Sequence, residues 1–545
     1  MKSQSRFAII FILLASFLGL GFSPHPKSNP PNGKYRGAEM ITANQLKDYL
    51  EFIASDELEG RDTPSRGLDV AAKFIATNLS RWGVKPGGDN GTFMQRFALQ
   101  KSVVDSTQTV LEINGQRFKF GTDFLVHSAA GAGTASAPLI YVGHGMMIKA
   151  KNIDAFAGLD VKGKIVVWTS EFPKGVSFAD LSGKQGEDWQ FAAFNAAQHG
   201  AVGGIAIGSF QTLTFWEQTR RNSTITGTLA VEKFQGEQRK VPVLALAPRA
   251  AQALFQGEQH GAAKVFNSAA SGEPVPSFSF KPEKKISFTV VAKNEKVFTQ
   301  NVIGVLEGSD ASLKREYVAL GAHYDHVGVG TPINGDAIYN GADDDGSGTV
   351  SILAIAEAFA KGARPKRSLL FVWHAGEEKG LWGSKYFTEN PTVPIDKIVA
   401  QLNLDMVGRA QKANDANTGL AKPHEVFVVG SKKMSTELGV LSETVNKAYY
   451  NLAFNYKYDD PQDPEKIFFR SDHFNYALKG IPIIFYTDGE HEDYHRVTDH
   501  VEKIDFENML KISRTVYAMA QELGNGKRPV VDKKLLPEET KGLGL

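Results

Sequence analysis

The sequence predicts an α/β fold: a mixed, mainly parallel sheet covered by helices on both faces, with a smaller β-rich unit inserted into it. Three observations predict this. From Ser287 to Leu523, short apolar runs alternate with stretches of helical periodicity, as parallel strands with crossover helices require. From 135 to 266, several short apolar runs are bounded by Gly and Pro and form a group of their own. Histidines and acids collect just past the ends of the later apolar runs, where open α/β sheets bind ligands.

Bulk properties narrow the function. The chain has 545 residues, 42% hydrophobic and 22% charged, which suits a globular protein with a large core. Lys and Arg total 61 against 60 Asp and Glu, a net charge of +1, so nothing points to nucleic acid or an anionic membrane surface. Cysteine is absent, which excludes disulfides and thiolate chemistry and leaves His, Asp and Glu as the available metal ligands.

The elements follow in chain order. Lys2 and Arg6 precede an apolar run from Phe7 to Phe22, read as a signal peptide over 1–22 that directs export to the periplasm, cell surface or medium. If uncleaved it would be an anchor, the one membrane contact expected. A polar, Pro-rich linker fills 23–40. The N-terminal part of the main domain takes 41–134. Thr42 is a candidate N-cap for a helix with Leu46, Tyr49, Leu50 and Ile53 on one face. A second helix near 67–82 presents Ala71, Phe74, Ile75 and Leu79, and 93–110 alternates like strands. The insert runs 135–266, with strands near Leu139, Ile165, Gly203 and Val243. The main domain resumes over 267–525 with strands at 317–322, 368–373, 398–404 and 481–486 and helices at 349–360 and 506–523. A charged tail takes 526–545.

Past the ends of these strands stand His323 and Asp325, then Glu377 and Glu378, then Asp405, then Asp488 and His495. Asp343, Asp344 and Asp345 precede the 349–360 helix. A pair of divalent ions accounts for such a set. One bridging carboxylate plus one His and one acid per ion uses two histidines and three acids. One glutamate remains to move protons.

The motifs Gly-Ala-His323-Tyr-Asp325-His, Gly-Ala-Asp343-Asp344-Asp345-Gly-Ser-Gly, Ala-Gly-Glu377-Glu378-Lys-Gly, Asn403-Leu-Asp405-Met, Arg470-Ser-Asp472-His473 and Asp493-Tyr-His495 resemble peptidase family twenty-eight. That family contains zinc aminopeptidases, glutamate carboxypeptidase and glutaminyl cyclase. The runs at 158–167, 196–205 and 241–244 likewise resemble a protease-associated domain. The resemblance implies the zinc exopeptidase fold and two Zn2+ ions. His323 and Asp405 would hold one ion, Glu378 and His495 the other, and Asp344 would bridge them. Glu377 would be the general base towards a water bridging the metals, and Asp325 would orient His323. The implied activity is removal of N-terminal residues from peptides. The alternatives are a carboxypeptidase of the glutamate carboxypeptidase type, a glutaminyl cyclase and a receptor-like protein without activity. Asp472 and His473 suit either packing or substrate contact, and Arg470 could meet a substrate carboxylate. Peptides are the expected partners, and no feature specifies an oligomeric state.

A rival signature is also present. His491-Glu492-Asp493-Tyr494-His495 matches the HExxH zinc motif, which works only where a helix puts both histidines on one face. A strand and an Asp-Gly turn precede it here, so His495 alone is retained as a ligand.

Overall fold

The computed structural model describes residues 33–534, apart from 129, 178–179, 182, 235–239, 413–416 and 418. The expected signal peptide, most of the linker and the end of the tail lie outside the described residues.

The chain forms the expected mixed α/β sheet. Its strands run in the order Thr228–Val231, Met94–Val104, Ala292–Leu306, Ser368–His374, Tyr317–His323, Ile398–Leu404, Ile483–Thr487, Glu425–Val429 and Ala453–Asn455. The short Lys85–Pro86 pairs with Ala292–Leu306. The four strands from Ser368–His374 to Ile483–Thr487 are mutually parallel. Their carboxyl ends therefore meet at one rim.

Alternation along each strand loads both faces. Val318, Leu320 and Ala322 face one core, with Leu46 and Leu50 of Ala43–Ile53, Ile352 of Gly348–Lys361 and Val516 of Phe506–Asn525. Ala319, Leu370 and Val372 face the other, with Phe387, Phe474 and Tyr476. Burial on both faces explains the near-continuous apolar runs of these strands, with buried Gln401 and Asn403 of Ile398–Leu404 hydrogen-bonded to each other. The first helix begins as its sequence requires. Thr42 accepts a hydrogen bond from Gln45 N–H, and the Gln45 side chain accepts one from Thr42 N–H, a complete capping box.

The insert has its own core. Leu139–Tyr141, Ile165–Thr169, Gly203–Ile207 and Val243–Leu246 form a parallel sheet, packed on Phe255, Val265 and Phe288. The antiparallel edge strands Phe124–Val126 and Phe278–Ser279 complete it from outside 135–266. A stretch from within that range, Thr228–Val231, crosses back to the edge of the large sheet. The two units are thus joined by strand pairing as well as by chain connections.

Candidate metal centre

The site is built at the rim of the four parallel strands. His323 ends one strand, Asp405 follows Leu404, and Glu377 and Glu378 follow the strand ending at His374. Asp344 lies in the turn before Gly348–Lys361. His495 arrives on the loop after Ile483–Thr487. All but His495 are buried or nearly so.

Asp344 stands between two groups. Its Oδ1 lies 3.3 Å from His323 Nε2, which is also 3.4 Å from Asp405 Oδ1. Its Oδ2 lies 3.1 Å from His495 Nε2, which is 2.9 Å from Glu378 Oε2. Glu377 Oε2 is 4.0 Å from His323 Nε2, on the flank of the first group. His326 joins the second group, its Nδ1 2.8 Å from Glu378 Oε1 and 3.6 Å from Asp344 Oδ2.

These atoms fit a divalent metal. Asp344 Oδ2, Glu378 Oε1, His495 Nε2 and both nitrogens of His326 are buried without a hydrogen-bond partner. Orphaned buried polar atoms cost roughly 1–3 kcal/mol each unless something compensates. Four side chains, His326 through Nδ1 among them, converge there and mark a place for a cation. Imidazole nitrogen with carboxylate oxygen is the donor set zinc takes. His323, Asp344 and Asp405 form one group able to hold an ion, and His326, Asp344, Glu378 and His495 a second.

The surroundings hold these side chains in place. Asp325 does so differently from the expectation that its carboxylate orients His323. The His323 Nδ1 faces the Asp325 backbone carbonyl at 3.1 Å, while the carboxylate is 3.7 Å away. The Asp325 carboxylate instead accepts the Glu377 backbone N–H at 3.2 Å, tying the first motif to the third. Asp345 accepts the backbone N–H groups of His323, Gly348 and Met406, so one carboxylate fixes three elements of the rim. Asp499 accepts those of Asp343 and Asp344. Ser471 donates to Asp405 Oδ2 at 2.6 Å.

The acids and histidines perturb one another strongly. Burial pushes the Glu377 carboxyl well above the usual range, with Asp405 and Glu378 adding to it against the pull of His323. Burial opposes charge on His323, but Asp405 and Glu377 outweigh it and hold the imidazole well above its ordinary value. Burial also opposes ionisation of Asp344, yet the His326, His323 and His495 rings hold it well below. These directions belong to the side chains among themselves. A bound cation would add the largest charge in the site.

The HExxH stretch is a run of turns, not a helix. His491 points away to Asp343 Oδ2 at 3.1 Å, and Glu492 is mostly exposed beside Arg409. Sequence reasoning passed over three residues the rim depends on: His326, Asp345 and Arg61. The first two sit inside quoted motifs. Arg61 lies in a charged stretch that reads as surface, yet it is fully buried. Its guanidinium donates to the carbonyls of Ile53, Tyr324, Asn340 and Gly341.

A small cleft opens beside His323, Glu377 and Asp405, walled by Met406, Ile467 and Phe485, with Arg470 and Glu490 paired at its edge. A larger cleft, about 410 Å³, lies elsewhere, against the insert near Ser102, His127 and Lys240. It gathers no comparable set of acids and histidines, so chemistry rather than volume marks the site.

Residues 301–520 match the model of peptidase family M28, a span that contains every residue of both metal-binding groups. This stretch is similar to peptidase family M28. The chain is 29% identical over 247 residues to a "Probable leucine aminopeptidase" of Trichophyton verrucosum, covering 43% of this chain and 61% of the relative. It is 28% identical over 233 residues to "Leucine aminopeptidase 1" of Fusarium vanettenii, covering 41% and 55%. The chain thus spans little more than half the length of these curated relatives. The fold extends further. The aminopeptidase from Aneurinibacillus sp. strain AM-1 superposes with a TM-score of 0.54 at 17% identity, covering 92% of this chain and 98% of that one. A zinc aminopeptidase from Bacillus subtilis gives 0.50 at 17% identity, covering 91% and 99%.

Proposed function

We propose that the protein is an exported two-zinc exopeptidase, an aminopeptidase that removes N-terminal residues from peptides. The observation that carries this reading is the placement of Asp344, each of whose oxygens faces a different histidine–carboxylate group. His323 and Asp405 would hold one ion, Glu378 and His495 the other, and Asp344 stands where it could serve both. When bound, the ions make a water acidic enough to attack and polarise the scissile carbonyl. The protein's own groups do the rest. Glu377, kept off the metal and pushed up in pKa, accepts the proton of the attacking water on a carboxylate oxygen and hands it to the departing amine. Asp325 holds the Glu377 backbone through its carboxylate and the His323 ring through its carbonyl.

The cleft favours the N-terminus over the C-terminus. Arg470, the side chain that could have gripped a substrate carboxylate, is already paired with Glu490. A free ammonium would instead meet carboxylates on the wall formed by Glu377 and Asp405. Met406, Ile467 and Phe485 suit an apolar first side chain, in keeping with the leucine aminopeptidase names of the relatives. Export rests on the basic start and apolar run of 1–22. Among the described residues, no helix is long and apolar enough to cross a membrane.

The test is hydrolysis of one peptide in two forms by zinc-loaded protein. The form with a free N-terminus should be shortened stepwise from that end. The N-acetylated form should survive. Trimming of the acetylated peptide from its C-terminus would establish the carboxypeptidase alternative instead.

A further inference from the structure

We propose that His326 is a fourth ligand of the ion held by Glu378 and His495, so that the two metal positions are unequal, one with four protein ligands and one with three. This rests on the two-metal reading and goes beyond it, since that reading gives each ion one histidine and one acid of its own.

The strand Tyr317–His323 ends at its first ligand, and the next residues turn across the rim. Tyr324 turns away, its hydroxyl donating to Gln300 O. His326 turns in and is fully buried. Neither ring nitrogen makes a hydrogen bond, although Nδ1 stands 2.8 Å from Glu378 Oε1. Its ring centroid is 5.6 Å from that of His495. One donor atom from each of His326, Asp344, Glu378 and His495 fits within a 4.8 Å cluster, whereas the cluster around His323 has three members. A buried imidazole whose Nδ1 faces two carboxylates without a well-formed hydrogen bond is costly, and a cation between these four side chains would use that nitrogen.

The position of the ring is built rather than incidental. A Cβ at residue 341 would lie 2.5 Å from His326 Cγ, so only glycine leaves room, and Gly341 also adopts a φ of +58°. Arg61 clamps the same corner. Its carbonyl accepts the His326 N–H, and its guanidinium holds the Asn340 and Gly341 carbonyls. Two imidazoles and two carboxylates complete the tetrahedral set of a closed zinc site. The position with three ligands keeps a place open for substrate or water. The closed position should fill first.

The experiment is X-ray absorption on the full chain loaded with one equivalent of zinc, with chelator-competition affinities alongside. The wild-type protein should show two imidazoles per zinc at one equivalent, and a second, weaker ion should follow. In His326→Ala and His326→Asn, the tight affinity should fall by about 100-fold or more, above the ~10–100-fold typical of residues that merely support a ligand. The weak affinity should hold. A single imidazole per zinc in the wild type, or an unchanged tight affinity in a folded variant, would overturn the proposal while leaving the two-metal reading intact. A wild-type protein that binds no zinc would overturn both. The wild-type spectrum needs no variant to fold.

Discussion

Two sheets of the molecule each contain four mutually parallel strands, and among the described residues only one of these rims gathers a cluster of acids and histidines. Past the large sheet's strand ends stand His323, Asp325, His326, Glu377, Glu378 and Asp405. Past the insert's stand Gly143 and His144, Ser170 and Glu171, Gly208 and Ser209, then Ala247 and Pro248. Several polar groups of the insert's rim have partners: Ser209 pairs with Thr212, Thr169 donates to Gly143 O, and His144 accepts the Met146 N–H. At the large rim, by contrast, Asp344 Oδ2, Glu378 Oε1, His495 Nε2 and the ring nitrogens of His326 are buried without one. Topology supplies a crevice in both units, but chemistry depends on which residues follow the strands.

The comparison breaks most clearly at Asp344. Asp344→Ala removes the one carboxylate shared by both groups, so metal content should fall at both positions and activity should disappear. Elemental analysis showing two ions still bound would mean that the rim is not organised around this residue. In the insert, the largest effect should be on stability instead. Ile205→Ala, at a fully buried position, should cost about 2–5 kcal/mol in denaturant unfolding. Zinc content should stay the same. Loss of zinc would show that the two rims are coupled.

Smaller substitutions sharpen the contrast within the large rim. Ser471→Ala removes the hydrogen bond to Asp405 Oδ2 and should weaken zinc at the His323 position by ~10–100-fold in chelator competition. Equal weakening at both positions would argue against separate groups. Glu492→Gln should change kcat least, by about tenfold at most, against the ~10²–10⁴-fold of a true general base. A larger loss would return the HExxH motif to consideration.

The four parallel strands of the large sheet were legible because burial on both faces favours near-continuous apolar runs, and the acids that follow them stand out by contrast. The insert's edges were not. Phe124–Val126 and Phe278–Ser279 are too short for any periodicity, and they join the sheet only through pairing distant in sequence. His326 was visible as a letter in a motif, but no local pattern tells which buried nitrogen lacks a partner. Arg61 defeats sequence reading for a similar reason. A run of Glu, Gly, Arg and Asp looks solvated, and only the fold brings four carbonyls to its guanidinium. Asp325 was recognised as a supporting residue, while the division of labour between its carboxylate and its carbonyl required coordinates.

The central claim is that Glu377 moves the proton while the residues around it hold the metal. Glu377→Gln keeps the shape of the side chain and removes the base. Measured together, kcat on a peptide with a free N-terminus should fall by ~10²–10⁴-fold while bound zinc stays at the wild-type level. Near-normal turnover with full zinc would contradict the account, because catalysis would then not pass through this carboxylate.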